Sequence, residues 1–151
     1  MLQSGLPDKV QDSEDIARFL LQKSQYNTTM VKGAAFLPCY RSEDEKRMET
    51  SVSRHGAKPI EELLNLGKSV SIASNRQLYG AGILSAEEIR STLLEVISDE
   101  LPLRHAVIIH WPLDDDPEEQ KAKLKKIANE LACKAGKLLF SFLNDIHQTA
   151  E

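Results

Sequence analysis

Three arginines, Arg54, Arg76 and Arg104, each stand at the end of a segment with strand-like composition, and His105 directly follows the last of them. A guanidinium group binds phosphate or carboxylate through two parallel hydrogen bonds, and an imidazole can act as a general acid or base near neutral pH. We therefore predict a site for an anionic ligand, such as a nucleotide or a nucleic-acid end, formed by Arg54, Arg76, Arg104 and His105. His105 is the candidate catalytic group. The chain also carries 23 aspartates and glutamates, so the alternative that each arginine only forms an ion pair stays open.

A second histidine, His110, lies on the far side of the apolar residues 106–109. Side chains alternate between the two faces of a strand, so His105 and His110 are predicted to lie on opposite faces. A metal pair or an acid–base pair that uses both histidines is therefore disfavoured.

Other residues that could bind a ligand or take part in catalysis are explained more simply by a structural role. Gly80 and Gly82 form a G-x-G without the third glycine or the lysine of phosphate-binding loops, which predicts a turn. Cys39 and Cys133 belong to no Cys-x-x-Cys or Cys/His pattern, which indicates ordinary reduced thiols. The acidic run that ends at Asp116 is typical of a helix cap. We predict neither a metal site nor a cofactor.

The composition limits the class of protein. With 151 residues, 41% of them hydrophobic and 28% charged, the chain has the composition of a single globular domain. A net charge of -4 and an aromatic content of 5% argue against a general nucleic-acid binder, which would carry a basic excess. The sequence shows no membrane-spanning run and no secretion signal, and its two cysteines form no framework. These features predict a cytoplasmic location without membrane contact.

Helices are predicted where apolar residues repeat with helical spacing. Ser85 and Glu88 form a capping box, and Asp116 stands before a proline at the first position of a helix. The pattern predicts helices over about residues 13–24, 59–67, 86–98 and 117–146.

Strands are predicted where β-branched or alternating residues occur. These are residues 50–54, 69–73 and 104–111, with 78–79 continuing or pairing with the second and 33–38 forming an extended edge segment. Interleaved helices and strands predict a single α+β domain over 1–151, in which about four helices pack on a small, mainly antiparallel or mixed sheet. The last helix is predicted to be a long C-terminal one. Residues 1–12 and the charged segment 41–48 are predicted to be flexible.

Three segments carry a resemblance to other proteins: the E-x-S-V-x-R run over 49–54, the segment 76–81, and the R-H-A-x-I run over 104–108 with Trp111 and Pro112. In this order they resemble small uncharacterised bacterial proteins, over about residues 36–135. The resemblance implies no activity and no catalytic residue. His110 departs from the smaller residue expected at its position.

A rival hypothesis assigns the chain to the class of non-catalytic interaction modules. The apolar stripe of the predicted C-terminal helix, from Pro117 to about Ile146, would bind a protein partner or a second copy of the chain.

Overall fold

The fold is a seven-stranded antiparallel sheet with three α-helices in the part of the chain that the computed structural model describes, which is residues 2, 4–40, 47–56, 58–100 and 102–140. The strands are β1 (Asp15–Leu20), β2 (Cys39–Tyr40), β3 (Met48–Arg54), β4 (Gly80–Ser85), β5 (Glu95–Ser98), β6 (His105–Ile109) and β7 (Gly136–Leu139). The helices are α1 (Ile60–Ala73), α2 (Ala86–Arg90) and α3 (Pro117–Lys134), and short 3-10 turns cover Lys23–Gln25 and Gly33–Ala35. The strand order is β5-β6-β3-β1-β4-β7, with β2 paired to β3. The α+β class is confirmed, whereas the prediction of about four helices is wrong.

Two apolar clusters cover the two faces of the sheet. The larger one contains Val52 and Ala106, which are paired across β3 and β6, together with residues of α2 and α3. The smaller one joins Ala17 and Phe19 of β1 to the helix α1. Because side chains alternate, the pair Ser53 and His105 lies on the face of the sheet opposite to Val52 and Ala106.

The predicted helix over residues 13–24 is wrong, because residues 15–20 form the strand β1. Ile16 and Leu20 pack in the larger cluster while Ala17 and Phe19 pack in the smaller one. A segment that is buried on both faces has apolar residues at helical spacing as well as at strand spacing, so its pattern alone does not separate the two.

The predicted strand over residues 69–73 is also wrong, since these residues form the second half of α1. Gly67, predicted to end the helix, lies inside it, and a Cβ at this position would come within 2.7 Å of Phe19 Cε1. The hydroxyls of Ser69 and Ser71 donate to the carbonyls of Asn65 and Lys68. The serines that alternate with apolar residues therefore satisfy their hydroxyl groups by hydrogen bonds to carbonyls of the same helix.

The predicted turn at Gly80 and Gly82 is wrong, because both residues lie inside β4 and pair with β7. A Cβ at Gly80 would collide with the carbonyl oxygen of Leu138. The glycine therefore permits close approach of two strands. The strand predicted at 78–79 begins two residues later, at Gly80.

The helix predicted over residues 86–98 has the expected start but ends early. The capping box of Ser85 and Glu88 is confirmed, with Glu88 N donating to Ser85 Oγ at 3.1 Å. The helix α2 ends at Arg90, the backbone turns through Leu93 at φ 71°, and β5 follows. The β-branched pair in β5 explains why this segment pairs with β6 instead.

The long C-terminal helix is correct only in its first half. Asp116 caps α3 as predicted, but the helix ends at Lys134 and β7 begins at Gly136. Leu138 and Leu139, predicted to continue the helical stripe, instead pair with β4 in the strand β7, and the prediction that this helix binds a partner stays a prediction. The rest of the prediction, residues 141–146, lies outside the described residues.

The remaining predictions concern strands and flexibility. The strands predicted over 50–54 and 104–111 are confirmed as β3 and β6, although β3 begins at Met48 and β6 is shorter. In the predicted edge segment, Gly33–Ala35 instead forms a 3-10 turn. The flexibility of 1–12 and 41–48 stays a prediction, and residues 1, 3 and 41–46 lie outside the described part. No described helix is long and apolar enough to cross a membrane.

Candidate functional site

Arg54 ends β3 and has no solvent-accessible surface. Its Nε donates to Glu14 Oε1 at 2.8 Å, and its Nη2 donates to Glu14 Oε2 at 2.8 Å. This geometry uses one bidentate side of the guanidinium, while Nη1 is buried and makes no hydrogen bond with a described residue. The surroundings of Arg54 therefore favour a structural role.

Arg104 lies next to Arg54 across the sheet, because Arg54 N donates to the Arg104 carbonyl at 2.8 Å. It occupies the left-handed region at φ 66°, inside a turn closed by His105 N donating to the Pro102 carbonyl at 3.0 Å. A residue with a Cβ is rare in this backbone conformation, which costs about 1–2 kcal/mol. Strain of this kind is concentrated at functional sites.

His55 lies beside this turn and is almost fully buried, at 8% exposure. Burial lowers the pKa of its imidazole, Asp15 acts to raise that pKa, and Arg104 lowers it further. The His55 Nδ1 atom is buried and makes no hydrogen bond with any residue that the structure describes. The end of the sheet that contains Arg104 therefore holds a histidine that is most stable in its neutral form.

Arg76 lies on a different element from the other two arginines. It is exposed on the segment that follows α1, where its backbone N–H donates to the Ser71 carbonyl at 2.9 Å. The structure thus brings Arg54, Arg104 and His105 to one end of the sheet and leaves Arg76 on a separate loop.

His105 lines a cavity of about 350 Å³ between the C-terminal half of α1 and strands β1, β3 and β6. Most of its wall is apolar, and the polar groups are concentrated on a few residues. The lining consists of Arg18, Phe19, Leu21, Ser51, Val52, Ser53, Val70, Ala73, Ser74, Pro102 and His105. An apolar pocket with a small number of polar groups is the usual form of a small-molecule site.

Arg18 is the cation of this cavity. The register of β1 and β3 pairs Ala17 with Ser53, and Arg18, the next residue of β1, lines the cavity and makes a hydrogen bond to β3. Its Nε donates to the Ala35 carbonyl at 2.6 Å, and its Nη1 donates to the Ser51 carbonyl at 2.8 Å. Among the described residues no carboxylate forms an ion pair with Arg18.

The surroundings of Arg18 determine the pKa of its guanidinium and leave one of its nitrogen groups without a partner among the described residues. Burial lowers the pKa of the guanidinium, and nearby Cys39 offsets only part of this effect. The Nη2 group makes no hydrogen bond with any residue in the described part of the chain. A positive charge held by neutral carbonyls, with donors to spare, is suited to binding an anion.

His105 stands directly opposite Ser53 on the neighbouring strand. Its Nδ1 lies 3.2 Å from the Asp99 carbonyl oxygen and 3.5 Å from Asp99 Oδ2. A carbonyl oxygen only accepts hydrogen bonds, so Nδ1 carries the proton in the neutral imidazole and Nε2 carries the lone pair. The nitrogen that remains for a ligand or a reacting proton is therefore Nε2.

His110 lines a different cavity, of about 590 Å³, together with Trp111 and Leu113. The two histidines of this segment thus contribute to separate cavities. In the described ranges, no three His, Cys, Asp or Glu side chains cluster in a way that could hold a metal ion.

Sequence reasoning did not identify Arg18, because it placed this residue on a helix. A charged residue inside a segment that is apolar on both sides was the available signal. A comparison of the chain with protein-family models, curated proteins and solved structures found no match in any of the three.

Proposed function

We propose that this protein binds a small amphipathic anion in the cavity between α1 and the sheet. The carboxylate or phosphate of the ligand binds the Arg18 guanidinium, and its apolar part packs against Phe19 and Val70. The observation that carries the proposal is that Arg18 is a partly buried cation that forms no ion pair with a carboxylate among the described residues. Where water is partly excluded, a charge-assisted hydrogen bond is stronger than at the open surface.

The ligand class is narrower than that predicted from sequence. A cavity of about 350 Å³ suits a small molecule with a single ring or a short alkyl chain. The predicted contribution of His105 is retained, because His105 lines the same cavity. Arg104 precedes His105 in the chain but does not line the cavity, and Arg54 binds Glu14.

A second candidate function is acid–base catalysis on the bound anion. The observation that favours it is the contact of His105 Nδ1 with Asp99, which leaves Nε2 as a base. A base oriented by a carboxylate residue is a common catalytic arrangement.

Nuclear magnetic resonance titration with phenyl phosphate tests the binding function. Phenyl phosphate joins an anion to an apolar ring, and its two parts, inorganic phosphate and phenol, are the matched controls. We expect phenyl phosphate to bind more tightly than either control and to shift the amide resonances of Phe19, Ser51 and Ser53. Equal binding of inorganic phosphate, or shifts confined to other surfaces, would contradict the proposal.

A further inference from the structure

A groove of about 440 Å³ runs between α3 and the 3-10 turn Gly33–Ala35. Leu37, Pro38 and Leu124 supply apolar parts of its lining, and Lys121 and Lys125 stand on the α3 side. Leu37 lines the groove and keeps 41% of its surface exposed. The groove is separate from the cavity that contains Arg18.

The two lysines are free to bind a partner. They are one helical turn apart, so their side chains lie on the same side of α3. Neither forms an ion pair with a described residue, whereas Lys123 on the same helix binds Asp114 Oδ2 at 2.7 Å. The chain has a net charge of -4, so two cations that pair with no described carboxylate form, beside an apolar groove, a local charge opposite to that of the whole molecule.

The walls of the groove are held close together by Gly33. A Cβ at this position would collide with the side chain of Asn129 on α3. On the other side, Leu124 packs against the larger apolar cluster and Ala128 is fully buried in it. A groove with both walls fixed is preformed, and a ligand that binds it does not pay for its ordering.

We propose that this groove binds an acidic, apolar peptide segment of a partner protein. A leucine or phenylalanine of the segment packs between Leu37 and Leu124, and flanking carboxylates bind Lys121 and Lys125. A second copy of the chain fits less well, because a two-fold interface over this groove would place the lysines of both copies against each other. The proposal retains the predicted role of α3 in partner binding but moves it from an apolar stripe to a mixed groove.

Fluorescence anisotropy with a labelled synthetic peptide tests this inference. The probe carries two leucines flanked by glutamates, and two control peptides carry lysines in place of the glutamates or serines in place of the leucines. We expect only the probe to bind, with an affinity that falls as salt is added. Equal binding of the lysine peptide or of the serine peptide would overturn the proposal.

Charge reversal on α3 locates the binding surface. Lys125→Glu is expected to weaken the affinity for the probe peptide by about fivefold to tenfold, because it removes an attraction and adds a repulsion. Lys126→Glu changes the net charge by the same amount on the same helix, but Lys126 does not line the groove, so the affinity should change less than about twofold. Equal losses in both variants would overturn the site.

Sedimentation of the unmodified protein separates the two occupants. A dimer that the probe dissociates and that Lys125→Glu alters would show that the groove belongs to a second copy, and would overturn the proposal. A monomer that binds the probe supports it. Binding of phenyl phosphate at the Arg18 cavity should be the same in Lys125→Glu. The proposal for the groove and the proposal for the cavity can therefore be contradicted independently.

Discussion

Arg54 is fully buried and Arg18 is partly buried on the neighbouring strand, and different groups compensate their charges. The guanidinium of Arg54 faces a carboxylate, Glu14, through two hydrogen bonds of 2.8 Å. The guanidinium of Arg18 faces the carbonyls of Ala35 and Ser51. A buried cation that already has a carboxylate is compensated within the fold, whereas a cation without one can gain an anion from a ligand. This difference separates the structural arginine from the candidate binding residue.

Glu14→Gln tests the structural role of Arg54. The variant leaves the Arg54 charge buried without its counter-charge, so the free energy of unfolding should fall by about 3–5 kcal/mol in urea denaturation. The double variant Glu14→Leu with Arg54→Met removes both charges and should recover most of this loss. The exposed pair of Lys123 and Asp114 is the control, and Asp114→Asn should leave the unfolding midpoint nearly unchanged. A mild effect of Glu14→Gln would show that Arg54 does not depend on this carboxylate.

At the scale of elements, the sequence predicted those segments whose pattern has one physical explanation. The capping box at Ser85 and the cap at Asp116 were predictable because a side chain must satisfy the first backbone N–H groups of a helix. The strand β6 was predictable from its apolar centre. The strand β1 was not, because burial on both faces gives an ambiguous spacing, and the strand β7 was not, because its partner β4 lies about 50 residues earlier in the chain.

The same ambiguity decided how much of the site was predictable. His105 could be predicted to line a cavity because a histidine at the end of a buried strand stands out in the sequence. Arg18 could not, because its hydrogen bonds to Ala35 and Ser51 join segments that are distant in the chain.

Gly67→Ala tests the packing of α1 on the sheet. In an exposed helix this change is stabilising by about 1 kcal/mol, because alanine has the higher helix propensity. Here the added Cβ would lie 2.7 Å from Phe19 Cε1 and 3.0 Å from Leu78 Cδ2, so we expect a loss of about 1–3 kcal/mol instead. Gly136→Ala is the matched control, because the nearest atom to its Cβ is the Ile83 carbonyl oxygen at 3.7 Å. Stabilisation by Gly67→Ala would contradict the described contact between α1 and β1.

At the scale of the whole molecule, the sheet joins two cores and brings the N-terminal segment against distant parts of the chain. Arg90 on α2 shows this, because it donates to Glu95 Oε1 at 2.6 Å, to Asp12 Oδ1 at 2.5 Å and to the Val10 carbonyl at 2.8 Å. Burial alone would raise the pKa of the Glu95 carboxyl, but hydrogen bonds from Arg90 and from the Val96 N–H lower it overall. Glu95 therefore contributes stability above its unfolded pKa of about 4.5, which is lost as the pH falls further.

His55 makes the free energy of unfolding depend on pH over a range that lies above that of Glu95. Its pKa is lowered by burial, so the unfolded chain binds the proton more tightly than the folded one. The contribution of His55 is fully present above its usual pKa of about 6.5 and is lost as the pH falls through the lower pKa of the folded state. We expect urea denaturation to show this loss between neutral and mildly acidic pH, and His55→Asn to flatten it. A stability that rises as the pH falls over this range would contradict the burial of a neutral His55.

The most direct test of anion binding by Arg18 is isothermal titration calorimetry of phenyl phosphate with two arginine variants of equal charge. Arg18→Met removes the cation of the cavity and should weaken binding by about tenfold or more, since a hydrogen bond to a charged group contributes about 1.5–3 kcal/mol. Arg76→Met removes an exposed arginine outside the cavity and should leave the affinity unchanged. Thermal unfolding of both variants, with Arg18→Lys as a charge-conserving companion, checks that each one folds. Unchanged binding in folded Arg18→Met, or a loss confined to Arg76→Met, would contradict the proposal that Arg18 binds the anion of the ligand.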